Sequence, residues 1–472
     1  MIPIPREVRN GTSGSHKPGK LRIESCPDPR LAQLLAASWL RVMPEPCTGE
    51  SLVRFHSMPR LAASHKDMHL ISITEDAITL SAKSYHGFLY AIQSLLQLVF
   101  TVTKNGQSTL ACRELIDYPA YDWRGLHLDV SRHFFGVSSV KRYLRIMNAL
   151  KLNKFHWHLT DDQGWRIESK LFPALCEKGA YRVEPDGSRH GGFYTQDEIR
   201  EIVSYADDLG IEVIPEVDLP GHTLAILAAY PELACFPQDF CIPNSWGIFD
   251  DILCAGKDEV LDFLSQLLSE IAELFPSEYI HLGGDEAPKA RWKACPNCQS
   301  RIRDLKLKNE EELQSRLFHE LAQGLAQQGK RVIAWDEILD GRIDKSLIVM
   351  VWRGDGKDAA SKAAENSNSY ILCPNQLCYF DWKASEDSPG AHGISTLANV
   401  YSLDPSSYSR PDLCLGAQAN LWTEHIHNEA ELEAMLLPRA FALAERLWNP
   451  NADYQGFLTR LNDLEGYLDT LS

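Results

Sequence analysis

Two acidic residues stand side by side in HLGGDEAP (residues 281–288): Asp285 and Glu286, behind an apolar approach and two glycines. Carboxyl groups serve general acid–base chemistry and the stabilisation of positive charge, and cleavage of a glycosidic bond commonly uses two of them across the bond. Successive side chains of an extended segment point to opposite faces, so a facing pair is normally assembled from residues far apart in sequence. Adjacency therefore leaves open where a nucleophile would be. Other reactive side chains recur at the ends of β-rich runs: Asp129 and Arg132 in LDVSRHFF, Asp161 and Asp162 in HLTDDQGW, Asp218 and His222 in EVDLPGH. Further on stand Asp336 and Glu337 in AWDEI, Trp352 with Arg353, Tyr379 and Asp381 in YFDW, and Trp422 and Glu424 in LWTE. Carboxylates and arginine can take the hydroxyl hydrogen bonds of a sugar while aromatic faces pack on its apolar side. One tryptophan alone would read as core packing, but Trp335, Trp352 and Trp422 beside polar partners point together to a carbohydrate site.

Such residues need elements that bring them to one place. The runs GLHLDV, KFHWHL, EVIPEV, YIHLGG, VIAWDE, LIVMVW, YILCPN and CLGAQANLW read as eight strands. Amphipathic helices lie between several of them: SVKRYLRIMNALK, TQDEIREIVSYADDLG, DEVLDFLSQLLSEIAELF and NEEELQSRLFHELAQGLAQQG. This alternation predicts an α/β fold, a (β/α)8 TIM barrel over residues 117–472, with its site at the carboxyl ends of the strands. The link ILDGRIDKS is too short for a full helix, so an irregularity is expected after the fifth strand. An open doubly wound sheet is the competitor, but no glycine-rich phosphate loop supports it. Residues 1–116 carry LRIES, LVRFH, HLISI and AITLSA, then one amphipathic helix in YHGFLYAIQSLLQLVF, which predicts a small α+β accessory domain. The polar tract RNGTSGSHKPGK reads as a loop.

Acidic residues outnumber basic ones 64 to 47, giving a net charge of −17, which argues against nucleic acid or an anionic membrane as main partner. No apolar run reaches the roughly 18 residues of a membrane span, and MIPIPREVRN lacks a signal-peptide core, so a cytoplasmic chain is expected; one trimmed of its leader would read the same. No cofactor is expected. His127, His156 and His158 resemble the HxH pairs of metal-dependent barrel hydrolases, yet the later strands supply no matching ligand set, so buried, hydrogen-bonded histidines are expected instead. The twelve cysteines are scattered and read as buried or loop thiols. CPNC (residues 295–298) is the sole CxxC, and with no second ligand pair evident at matching spacing, no metal is expected there either.

HLGGDE, together with RGLHLDVSRHFF, KLNKFHWHLTDDQGWRIE, IPEVDLPGH, AWDEI, YFDW and LWTE in their order, closely resembles glycoside hydrolase family 20, the exo-acting β-N-acetylhexosaminidases. The resemblance spans the barrel, and the first part of the chain is similar to that family's accessory domain. It implies a retaining, substrate-assisted reaction in which the sugar's own 2-acetamido oxygen attacks C1 and forms an oxazolinium intermediate. By the same resemblance Glu286 is the general acid and base, Asp285 accepts the acetamido N–H, and Tyr379 donates to the acetamido oxygen. Arg132, Asp381 and Glu424 would bind sugar hydroxyls, Trp335, Trp352 and Trp422 would line the acetamido pocket and sugar face, and Asp161 with His222 would steady Glu286. The implied substrate is a glycan ending in β-linked N-acetylglucosamine or N-acetylgalactosamine. Some members join cysteines at the positions of Cys235 and Cys254 in a disulfide. A disaccharide-releasing member and a noncatalytic glycan-binding barrel are the alternatives, the second opposed by intact Asp285, Glu286 and Tyr379.

Overall fold

A computed structural model of the chain describes residues 1–43, 49–58 and 65–471. Eight parallel strands close a barrel: Trp123–Asp129, Lys154–His158, Glu212–Leu219, Tyr279–Gly283, Arg331–Trp335, Ile348–Val351, Tyr370–Leu372 and Cys414–Ala419. All eight expected runs are present, and the last strand pairs with the first, Gly416 opposite Trp123. Strands buried on both faces have no solvent side, so Ile348–Val351 and Tyr370–Leu372 are continuously apolar, while the first two strands alternate with inward-facing histidines. Helices Val137–Ala149, Gln196–Asp208, Asp258–Leu274 and Glu310–Ala326 cover the barrel where their apolar stripes require. After the fifth strand a short 3-10 turn, Asp336–Asp340, stands in place of a helix, as the length of the link dictates.

The accessory part is a six-stranded sheet in the order Glu7–His16, Leu110–Asp117, His69–Ile73, Ile78–Ala82, Glu50–Ser57, Lys20–Glu24. Two expectations fail here. The polar tract RNGTSGSH is no loop; it belongs to Glu7–His16, which among the described residues is an edge strand pairing only with Leu110–Asp117, its register slipping between Asn10 and Ser15. An edge strand has one partner and an open side, so it tolerates polar side chains that a central strand would not. Besides Tyr85–Lys104 there is a second helix, Pro29–Val42, started by Pro29 and by the Asp28 side chain accepting the Arg30 N–H. Among the described residues no helix is long and apolar enough to cross a membrane.

The sheet packs at the barrel end where strands begin. Lys151, just before the second barrel strand, donates to Asp117 Oδ2 at 2.9 Å, and Trp448 Nε1 donates to Asp117 Oδ1 at 2.6 Å. The carboxyl ends of the strands are left open on the opposite side.

Candidate active site

At those carboxyl ends lies a cavity of about 840 Å³, and Asp285, Glu286 and Tyr379 all line it. The fourth strand delivers the acidic pair through Gly283 and Gly284, whose φ values of +66° and +104° lie in the region that glycine favours. Gly283 is required by space as well, since a Cβ there would sit 1.6 Å from Asp218 Oδ1. Glu286 continues the turn at φ +43°, and His222 of the preceding βα loop adopts φ +53°. Left-handed backbone at two non-glycine residues costs on the order of 1 kcal/mol each and is the kind of strain found at working sites.

The two neighbours differ in environment. Glu286 keeps 37% of its side chain exposed to the cavity, against 13% for Asp285. Burial pushes the Asp285 carboxyl up to about 6, with the charges of Glu216 and Glu286 adding to it and His222 opposing. Its Oδ1 is buried with no hydrogen-bond partner in the protein, an acceptor available to an N–H from the cavity.

His222 sits behind both acids. Its Nε2 is 3.7 Å from Glu286 Oε2 and 3.8 Å from Asp285 Oδ2, while Nδ1 is 3.2 Å from Asp161 Oδ1 and 3.3 Å from Asp162 Oδ2. Burial alone would neutralise the imidazole, but the Asp161 charge and the surrounding carboxylate hydrogen bonds outweigh it and hold its pKa well above the ordinary value. Burial likewise works against ionised Asp161, and the charges of Arg132 and His222 overcome it, so Asp161 stays an anion well below the usual carboxylate range. Asp161 thus does not line the cavity; it is the hub joining His222 to Arg132, whose Nη2 lies 2.9 Å from Asp161 Oδ2.

Arg132 forms the cavity's far wall. Its Nη1 is 3.2 Å from Asp129 Oδ2, Nη2 is 3.9 Å from Glu424 Oε1, and the guanidinium stacks 5.0 Å from the Trp422 ring centre. Asp381 lines the same end, its pKa raised well above the ordinary value by burial and then by Glu424, and its Oδ1 lacks a protein partner. The aromatic side is continuous: Tyr379 stacks on Trp352 at 5.9 Å and meets Trp422 at 6.3 Å, with Trp335 6.0 Å from Trp422. Every site residue expected from the sequence therefore meets in one place, ten on the cavity wall and Asp161 directly behind it.

Other participants had weaker signals. Trp246 lines the cavity from the long loop after the third strand, where no strand end marks it, and Trp382 lines it beside Asp381 inside the YFDW motif. Glu337 accepts from Trp352 Nε1 at 2.9 Å, and burial, then the charges of Asp285 and Asp336, push its carboxyl up to about 8. A neutral acid there fixes the Trp352 ring without adding a full charge beside Asp285.

His127, His156 and His158 face the barrel interior as alternation requires, and they meet Glu216 of the third strand. His156 Nε2 and His281 Nδ1 lie 3.1 and 2.9 Å from its carboxylate, His158 is hydrogen-bonded to it, and Trp335 Nε1 donates at 2.9 Å. Burial opposes an ionised Glu216, but the charge of His158, followed by those of His281 and His156, keeps its pKa well below the ordinary value. The histidines thus serve a buried carboxylate under the cavity floor.

Residues 121–451 match the model of glycosyl hydrolase family 20, catalytic domain. The chain is 42% identical over 410 residues to a beta-hexosaminidase of Porphyromonas gingivalis, covering 84% of this chain and 52% of that protein. A beta-hexosaminidase of Vibrio furnissii is 36% identical over 398 residues, covering 80% of this chain and 64% of that protein. The chain thus spans between about half and two thirds of the length of these relatives. The solved structure of an exo beta-N-acetylglucosaminidase from Vibrio harveyi, in complex with N-acetylglucosamine, superposes with a TM-score of 0.87 at 29% identity, covering 100% of this chain and 77% of that one. The barrel, its strand-end site and a match over most of the length lead to one assignment: this chain belongs to glycosyl hydrolase family 20.

Proposed function

We propose that the protein is an exo-acting, retaining β-N-acetylhexosaminidase that removes terminal N-acetylglucosamine or N-acetylgalactosamine from a glycan by substrate-assisted catalysis. The observation that carries this reading is the buried, unpartnered Asp285 Oδ1 beside Glu286 in an aromatic-walled cavity. A sugar whose acetamido group lies among Trp335, Trp352 and Trp422 presents its N–H to Asp285 and its carbonyl oxygen to the Tyr379 hydroxyl. Those two hydrogen bonds hold the oxygen for attack on C1 and stabilise the positive charge that develops as the oxazolinium ring closes.

Glu286 gives its proton to the glycosidic oxygen as the C1–O bond breaks, then takes one from the water that reopens the ring, with net retention. Its partial exposure suits this, since leaving group and water approach from the open side. His222, held cationic by Asp161, steadies the carboxylate that Glu286 becomes after the first transfer. Arg132, Asp381 and Glu424 close the far end around the hydroxyls of one terminal sugar, which supports exo action.

A panel of aryl β-glycosides of N-acetylglucosamine, N-acetylgalactosamine, glucose and lacto-N-biose tests the reading. Cleavage of the first two with almost none of the glucoside is expected, because glucose lacks the nucleophile. Rapid cleavage of the glucoside would defeat substrate assistance, and release of intact lacto-N-biose would move the enzyme to the disaccharide-releasing class. Glu286→Gln should lower kcat by about 10²-fold or more while N-acetylglucosamine still binds by calorimetry.

A further inference from the structure

The CPNC turn does have a second ligand pair. Cys235 and Cys254, from the loop after the third barrel strand, meet Cys295 and Cys298, and the four buried sulfurs all lie within 4.8 Å of one another. The separations are 3.8 Å between Cys235 and Cys298, 3.7 Å between Cys254 and Cys295, and 3.6 Å between Cys254 and Cys298. All four are free thiols, so Cys235 and Cys254 are not joined in a disulfide. The sequence-based grounds for excluding a metal, a CxxC with no partner pair, therefore no longer hold.

We propose that these four cysteines bind one structural zinc ion. A tetrahedral Zn(Cys)4 site with Zn–S bonds of about 2.3 Å has sulfur–sulfur edges of about 3.8 Å, which the three separations above match. The backbone is built for it. An antiparallel bridge between Ala234 and Leu253 joins the two segments that carry Cys235 and Cys254. Cys295 precedes helix Pro296–Asp304 and Cys298 lies in its first turn, so both sulfurs of the CxxC can address one centre. The two halves are fitted closely: a Cβ on Gly256 would lie 2.2 Å from the Cys298 nitrogen, so only glycine lets the Cys254 turn reach the CPNC turn.

Thiolates are soft donors, and this set contains no oxygen or nitrogen ligand, which selects zinc over calcium or magnesium. Loading exchanges the thiol protons for one Zn²⁺ and leaves a formal charge of about minus two, from four thiolates on one dication. Two cations stand against the segments carrying the sulfurs. Lys257 Nζ donates to the carbonyls of Glu232 and Ala234 at 2.7 Å, and Arg301 Nη2 donates to the Gly256 carbonyl at 3.3 Å.

The site has no open position for water, so its role is structural. It clips the loop that carries His222 and Trp246 to the segment that follows Asp285 and Glu286. Direct links already cross there, among them Trp292 Nε1 to the Leu253 carbonyl at 2.9 Å and Arg291 Nη2 to Asp251 Oδ2 at 3.0 Å. Zinc would lock that contact and hold His222 against the acidic pair.

Elemental analysis of the native full chain, purified without added metal or chelator, tests the site with no reference to hydrolysis. About one zinc per chain is expected, released by a mercurial thiol reagent in step with loss of four protected thiols. Removal should lower the melting temperature by at least about 5 °C, and zinc with reductant should restore it. Cys298→Ser should lose the metal while Cys373→Ser, elsewhere in the core, keeps it. A chain free of metal with four thiols titrating on denaturation would overturn the proposal. So would a pair of disulfides among these cysteines, or iron in place of zinc.

Discussion

At Asp285, position and protonation pull in opposite directions. A carboxyl whose pKa is about 6 in the folded chain and 3.8 in the ordinary state holds its proton more tightly when folded. Ionising it therefore costs stability as pH rises through about 6, and the full penalty, on the order of 3 kcal/mol from a shift of about two units, is present above that pH. Asp285→Asn removes the charge that must be buried. Its melting temperature should exceed that of the parent at pH 8 and gain less at pH 4.5, while kcat falls sharply at both. For the parent, the proposed mechanism predicts that kcat/KM on an aryl N-acetylglucosaminide declines as pH drops below about 6, because protonated Asp285 would lack the charge assigned to stabilising the forming oxazolinium ring. A flat acid limb down to pH 5 would mean that ionised Asp285 is not required.

The element that decides the site is the end of the fourth strand. Gly283 combines φ +66° with a Cβ position 1.6 Å from Asp218 Oδ1, and Asp218 Oδ1 in turn accepts the Gly284 N–H at 3.3 Å. A side chain there must push the third strand from the fourth or flip the turn that aims Glu286. Gly283→Ala should lose activity by at least about 10²-fold and be destabilised by about 1–3 kcal/mol in urea unfolding. Gly324→Ala, on a helix with open space around its Cα, should leave activity intact and stability equal or slightly higher. Equal behaviour of the two variants would remove the steric argument. Beneath this turn the His–Glu216 cluster shows how a parallel barrel accommodates polar residues on inward positions: a buried carboxylate is retained only where imidazole and indole N–H groups surround it.

Across the whole molecule, a buried carboxylate is one of several ties between the accessory part and the barrel, beside Gln97 Nε2 donating to the Ala149 carbonyl and Arg124 Nη2 to the Tyr90 hydroxyl. Asp117 accepts from Lys151 and Trp448, and His69 Nε2 lies 3.5 Å from it. Lys151 has no exposed side-chain surface, so Asp117→Ala would strand an ammonium in the interior. Breaking a buried pair in this way costs about 3–5 kcal/mol. The variant should show a lower urea midpoint with the substrate KM nearly unchanged where it remains folded, because the junction lies at the end of the barrel away from the site. A shifted KM at unchanged stability would instead couple the accessory sheet to the pocket.

Local pattern was enough for much of this. Each barrel strand is a short β-rich run, each long barrel helix an apolar stripe at helical spacing, and their alternation leaves few topologies; residues at and just past the strand ends, from Asp129 to Glu424, then share one end of the barrel by rule. Capping of Pro29–Val42 by Asp28 is equally local, but composition alone makes the polar tract near the start a loop, and only pairing with Leu110–Asp117 makes it a strand. What the sequence by itself determined was the set of chemical groups and the end of the barrel they occupy. Tertiary structure alone decided which groups touch: Asp161 behind His222 rather than in the cavity, Glu216 as the partner of the histidines, Trp246 brought in by a long loop, and Cys235 and Cys254 carried to CPNC. Those contacts depend on how loops close in three dimensions, and residue spacing along a chain carries no record of that closure.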